Sequence, residues 1–192
     1  MRLRLLMVAA VCVAFAVAGR ASAGETGVAA WLYEVKAGLL YHDMDYLWSN
    51  ARFEDGVDFN GEVVFAPRLD VLGGAIRAAL GGSVNSSGGT SKAYLDLRYQ
   101  YDFDSGVFVS AGGGGAVHNG DLTPEHDDRK ALGSRLLFHI PIEAGYRFTE
   151  HQSVSVYFDH VSNAGLAKYN EGMDTLGLRY GYRFLPAGDV RH

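Results

Sequence analysis

His160 and Ser162 stand two residues apart in the run Phe158-Asp159-His160-Val161-Ser162-Asn163-Ala164-Gly165. On an extended strand alternate residues share a face, so the imidazole and the hydroxyl project the same way from Cα atoms ~7 Å apart. A neutral imidazole in reach can take the hydroxyl proton, which turns serine into a nucleophile. A carboxylate on the far side of the ring would orient it and stabilise its charged form. Asp174 opens the next alternating run with the parity of Leu176 and Leu178. If the 163–173 segment closes symmetrically, Asp174 comes within ~5–8 Å of the pair. Asp159 has the opposite parity and is a poor third member, while Glu171, in the loop, rivals Asp174. The competing reading is that His160 and Ser162 are hydrogen-bonded to neighbours at a strand end and do no chemistry.

Other candidate groups are weaker. Gly112 to Gly115 lacks the Gly-Lys-Ser/Thr of a phosphate loop and lies in a strand pattern, where close packing accounts for it. Asp121, Glu125, His126, Asp127 and Asp128 read as a solvated loop before a cation site, as do His42, Asp43 and Asp45. Asn85-Ser86-Ser87 matches a glycosylation sequon and reads as a polar loop. No spacing of His, Glu and Cys suggests zinc. The expectation is a site without metal or cofactor.

The elements that must position the pair are strands. Period two is clearest in Thr175 to Phe184, where Leu176, Leu178, Tyr180, Tyr182 and Phe184 oppose Thr175, Gly177, Arg179, Gly181 and Arg183. Lys92 to Phe103 and Leu136 to Phe148 repeat it, and weaker versions lie at 29–41, 57–65, 74–84, 106–114 and 152–162. Pro141, awkward inside a strand, suggests a bulge. The connections 42–56, 115–131 and 163–173 are long and 85–91 is shorter. Those at Asp104-Ser105-Gly106 and Glu150-His151 are tight, and the one after the second segment is longer. Long loops at one end and short turns at the other predict an all-β, eight-stranded antiparallel up-and-down barrel.

Two barrels compete. A lipocalin-like carrier points its apolar face inward around a ligand, and a transmembrane barrel points it outward at lipid. The polar faces carry Glu34, Asp58, Glu62, Asp96, Asp102 and Glu143 against Lys36, Arg77, Lys92, Arg98, Arg147, Arg179 and Arg183, a near-balance suited to a lumen plugged by ion pairs. Trp31, Tyr33, Tyr41, Tyr99, Tyr101, Tyr180 and Tyr182 lie near strand ends on the apolar faces, as interfacial girdles do. The membrane barrel is the better fit. His160 and Ser162 then share the lipid face with Val154, Val156 and Phe158, where a polar pair is costly unless it has polar neighbours or work to do. With both termini periplasmic, the seventh strand runs outward, and the patch lies near the outer leaflet, where lipopolysaccharide resides.

The 192 residues are 48% hydrophobic and 20% charged, with 25 glycines, which bounds the chain to one folded domain and excludes collagen-like and disordered classes. A net charge of −5 without a basic patch argues against a nucleic-acid partner. Residues 1–23 read as a cleaved signal peptide: Arg2 and Arg4, an apolar run from Leu5 to Ala18 that is shorter than the ~20 residues a span needs, and Ala21-Ser22-Ala23 as the cleavage site. Residues 24–192 would be the barrel. The single cysteine, Cys12, lies in the signal, so no thiol nucleophile remains. Loss of Arg2, Arg4 and Arg20 takes 17 basic residues to 14 against 22 acidic ones, a charge of −8.

His160-Val161-Ser162-Asn163-Ala164, followed by Asn170, Gly172 and Asp174, resembles the PagL family of outer-membrane lipid A 3-O-deacylases. Leu132-Gly133-Ser134-Arg135-Leu136-Leu137-Phe138 and Glu143-Ala144-Gly145-Tyr146-Arg147-Phe148 carry the same likeness, which covers about 107–184 well. The resemblance implies a serine esterase that removes an ester-linked 3-hydroxyacyl chain from lipid A, with Ser162 as nucleophile and His160 as base. Asp174 falls where the best-known members have Glu. Asn163, or a backbone N–H near Ala164 and Gly165, would donate to the oxyanion, with Asn170 a further candidate. The acyl chain would lie along Val156 and Phe158; Lys168, Arg129 and Lys130 are candidates to meet lipid A phosphates, although a solvated loop is the better reading of each. The expected partners are lipopolysaccharide and the outer membrane, with a homodimer as the candidate assembly. A non-catalytic structural outer-membrane barrel is the alternative function.

Overall fold

Alternation of apolar and polar residues becomes eight strands: β1 (Leu32–Tyr41), β2 (Val57–Val71), β3 (Gly74–Asn85), β4 (Lys92–Asp102), β5 (Val107–His118), β6 (Leu136–Arg147), β7 (Gln152–Ser162) and β8 (Met173–Arg183). The computed structural model describes residues 31–45, 47–49 and 51–184; the expected signal at 1–23 and the tail at 185–192 lie outside them. Each strand pairs antiparallel with the next, and β8 pairs with β1 to close the barrel. Closure leaves no edge strand with unpaired backbone groups, the condition for crossing a bilayer in this form.

The barrel's faces decide between the two candidate architectures. Leu97 and Leu178, on the apolar faces, are 62% and 68% exposed, whereas Glu62 and Arg179 are 3% and 2% exposed. The charged face is therefore inside. Arg179 lies 3.0 Å from Glu62 and 2.9 Å from Glu143, and 3.9 Å above the Tyr157 ring. Lys36 pairs with Glu143 at 2.8 Å, Arg98 with Glu62 at 2.5 Å, and Lys92 with Asp159. His139 adds a 2.9 Å contact to Asp96. Paired charges fill the lumen because an unpaired buried charge would be far more costly. The apolar wall outside is the lipid surface of a transmembrane barrel.

Four local features depart from expectation, each for a backbone reason. Tyr33, expected on the outward apolar face, is buried inside the barrel against Arg77, because β1 shifts register between Leu32 and Glu34. β2 does not stop at Phe65 but runs to Val71, across an irregularity between Val64 and Arg68 that accommodates Pro67. The freed Ala66 carbonyl accepts a hydrogen bond from Arg77. Pro141, the expected bulge, makes none: Ala111 faces Ile142 and Gly114 faces His139 in one unbroken register, and only the ladder between them is interrupted. The connection after the second strand, expected to be longer, is the two-residue turn Leu72-Gly73. Both residues are left-handed at φ 49° and 79°, the conformation that matches strand twist in a tight hairpin.

Candidate active site

The β7–β8 register sets His160 directly opposite Asp174, and the β6–β7 register sets Ile140 opposite His160 and Phe138 opposite Ser162. Strand parity thus brings His160, Ser162 and Asp174 to the outer wall at the long-loop end. His160 Nδ1 lies 2.6 Å from Asp174 Oδ1. A carboxylate only accepts, so Nδ1 carries the proton and Nε2 presents its lone pair away from Asp174. His160 and Ser162 are both half-buried and share one face, without a hydrogen bond between them among the described residues. Catalytic hydrogen bonds are often long before substrate binds.

Asp174 is outward by parity and yet fully buried. The cover is the β1–β2 loop, residues 42–56, which sequence reasoning left as a solvated connection. The peptide N–H groups of Trp48 and Ser49 donate to Asp174 Oδ2 at 2.7 and 2.8 Å, and Met44 N–H donates to the Asp174 carbonyl at 2.7 Å. The Trp48 indole stands edge-on to His160 at 5.3 Å and to Phe158 at 5.4 Å. Gly172, at φ 66°, has no side chain to spare: a Cβ there would meet His160 Cε1 at 3.2 Å and Ser49 Cβ at 3.5 Å.

The loop is anchored by a buried cluster that includes His42 and Asp43, which the sequence alone places in a solvated loop. Glu54 accepts from Thr90 N–H at 2.6 Å and Lys130 N–H at 2.9 Å, and stands 3.3 Å from His42 Nε2. Asp43 accepts from Glu54 N–H at 2.9 Å and lies 3.2 Å from Lys130 Nζ. Burial would lower His42, but contacts with Asp58 and Glu54 outweigh it and raise the ring to about 9. Burial would raise Glu54, but hydrogen bonds from His42, Lys130 and Thr90 outweigh it and hold the carboxyl at about 2. Lys130 is thereby buried in an ion pair, and its place beside a lipid phosphate is corrected. Lys168 stays exposed, with Nζ 5.2 Å over the Tyr169 ring.

The remaining candidates separate. Asp159 is in the lumen with Lys92 and His139, as its parity requires. Glu171, the rival acid, bridges loops: it pairs with Arg52 and accepts from Ala131 N–H at 2.8 Å. Asn163 is a clamp rather than a free donor. Its Nδ2 donates to Leu132 O at 2.8 Å and Tyr169 O at 2.6 Å, and its own N–H donates to Asn170 Oδ1 at 2.8 Å. Ala164 and Gly165 form a left-handed turn at φ 54° and 77°, closed by Leu166 N–H to Asn163 O at 3.1 Å. Their N–H groups donate no hydrogen bond among the described residues. Asn170, fixed through Oδ1, is an exposed residue whose Nδ2 donates no hydrogen bond among the described residues.

Two apolar surfaces flank Ser162. Val156 is exposed along β7, with Phe158 half-covered by Trp48. Beside Ser162, a cavity of about 340 Å³ is lined by Gly115, Leu136, Phe138, Asn163, Leu166 and Ala167. Sequence reasoning missed this second surface, because β5, β6 and the 163–172 loop meet only in the folded wall. A further cavity of about 380 Å³, lined by Tyr33, Arg77, Gln100 and Arg183, opens at the opposite end of the lumen and has no contact with His160.

With this geometry in place, comparison with known proteins is informative. Residues 56–183 match the model of the family described as lipid A 3-O-deacylase (PagL). Lipid A deacylase PagL of Pseudomonas aeruginosa is 39% identical over 83 residues, which span 43% of this chain and 46% of that relative. The crystal structure of the outer membrane enzyme PagL superposes with a TM-score of 0.58 at 25% identity, covering 79% of this chain and 99% of the other. The N-terminal β-barrel domain of Pseudomonas aeruginosa OprF superposes at 0.52 and 16% identity, over 79% and 96% of the two chains. That last likeness is one of fold alone.

Proposed function

This chain is an outer-membrane β-barrel of the PagL family of lipid A 3-O-deacylases, and on that premise we propose that it is a serine esterase acting on lipopolysaccharide. Its substrate is the ester-linked 3-hydroxyacyl chain at position 3 of lipid A. The observation that carries this reading is the His160 Nδ1 contact to Asp174 at 2.6 Å, on the same outward face as Ser162.

Ser162 Oγ attacks the ester carbonyl while His160 Nε2 takes its proton, and Asp174 holds the imidazolium that results. The carbonyl oxygen becomes an oxyanion, for which the Ala164 and Gly165 N–H groups and Asn170 Nδ2 are the available donors. On collapse the sugar 3-oxygen leaves with the proton from His160, and Ser162 keeps the acyl group. Water then gives its proton to His160 and attacks the acyl-serine, releasing the 3-hydroxy acid and restoring Ser162. The acyl chain lies on Val156 and Phe158 or in the Leu136–Phe138–Leu166 cavity, so the lipid surface supplies much of the binding. Lys168 stands exposed at the rim, where a lipid A phosphate would meet it.

Lipid A mass spectrometry of cells expressing the chain tests the proposal. The wild type removes one 3-hydroxyacyl group, and Ser162→Ala leaves lipid A intact while still inserting as a heat-modifiable barrel. Equal deacylation by a folded Ser162→Ala protein overturns it.

A further inference from the structure

The acid of the site, Asp174, is fully buried by a loop from the other end of the chain. Asp174 Oδ1 faces His160 at 2.6 Å, so both N–H donors of the β1–β2 loop fall on the other oxygen, Oδ2, at 2.7 and 2.8 Å. The carboxylate is therefore held at both ends, and its plane cannot turn without breaking a bond to the loop. The same loop lays Trp48 edge-on against the His160 ring. Neither contact is incidental to a flexible connection, because the loop is pinned on its far side. Glu54, 1% exposed, ties it through Thr90 to the β3–β4 loop and through Lys130 to the β5–β6 loop. Arg52 ties it to Glu171 in the β7–β8 loop.

We propose that the β1–β2 loop is a positioning device for catalysis: the Trp48 and Ser49 peptide N–H groups orient the Asp174 carboxylate toward His160, the Trp48 indole holds the imidazole, and the Glu54 anchor keeps the loop in place. The proposal rests on the esterase reading above and extends it. A charge-assisted hydrogen bond to a preorganised carboxylate accounts for about 10- to 100-fold in rate. Because the loop acts through the acid, its loss lowers kcat. Because Trp48 also borders the apolar surface at Phe158, only its own removal raises KM as well.

A double-mutant cycle on purified, detergent-folded protein with dispersed lipid A tests this. Ser49→Pro removes one N–H donor, and Glu54→Gln loosens the anchor without substituting Trp48, Ser49, His160 or Asp174. Each is measured alone and combined with Asp174→Asn. The expected result is a drop in kcat of about 10-fold or more for each single loop variant, with KM little changed, and almost no further drop in the Asp174→Asn background. Folding is scored by heat-modifiable mobility. If Ser49→Pro does not fold, Glu54→Gln carries the same cycle. Additive losses, or single variants with wild-type kcat, overturn the positioning role while leaving the esterase reading intact. Wild-type kcat for Asp174→Asn alone overturns the assignment of Asp174 itself.

Discussion

His160 is held from two directions, by the Asp174 carboxylate at its Nδ1 and by the Trp48 ring at its edge, so its free nitrogen has little choice of aim. Removing the carboxylate while keeping its shape tests how much of the rate depends on that aim. Asp174→Asn should reduce kcat by up to ~10⁴-fold, because the amide favours the wrong imidazole tautomer while Ser162 and the oxyanion donors remain. Asp174→Glu should retain measurable activity, read in the same assay. Glu171→Gln should weaken the Arg52 contact and cost far less, since Glu171 ties loops together and does not touch His160. Inactivation by Glu171→Gln with Asp174→Asn silent would reverse the two assignments.

At the scale of the element, the loops at this end of the barrel are a packed layer. Gly172 allows the β7–β8 loop to pass between His160 and Ser49. Gly172→Ala should lower kcat/KM about 10-fold or more, since it adds left-handed strain of ~1–2 kcal/mol and presses a methyl on the imidazole. The layer's anchor is also sensitive to pH. His42, raised from 6.5 to about 9, stabilises the layer fully below pH 6.5 and loses that contribution as pH rises through about 9. Glu54, lowered from 4.5 to about 2, contributes above pH 4.5 and loses it as pH falls through about 2. The layer should be tightest between pH 4.5 and 6.5. Amide exchange of residues 42–56, corrected for intrinsic rates, should therefore be faster near pH 9.5 than near pH 5.5. That difference should shrink in His42→Gln.

The whole molecule separates stability from chemistry. Its lumen is a network centred on Arg179, which faces Glu62, Glu143 and the Tyr157 ring, while the site lies outside the wall. Arg179→Leu leaves two buried carboxylates with less positive charge between them. It should cost about 3–5 kcal/mol of stability, seen as a lower urea midpoint of the detergent-folded barrel. The folded fraction should keep the wild-type kcat. A parallel fall in kcat under folding conditions would show that lumen and site are coupled.

Much of this was legible in the chain because side-chain direction in a strand is a local property. Parity alone put His160, Ser162 and Asp174 on one face and Asp159 on the other, and it gathered the lumen charges correctly. The same alternation could not say which face is inside, since a carrier barrel and a membrane barrel share it; closure with Arg179 and Glu62 buried decided that. Nor could it choose between prolines. Register shifts fell near Pro67 and at Tyr33 and not at Pro141. The largest gap is the β1–β2 loop, whose Ser49 meets Asp174 across 125 residues of sequence. Its contacts are made by backbone N–H groups, which every residue but proline carries, so no side-chain pattern announces them. The pair and the parity of its acid are written locally, whereas the burial and aim of that acid exist only once the barrel has closed and its loops have packed.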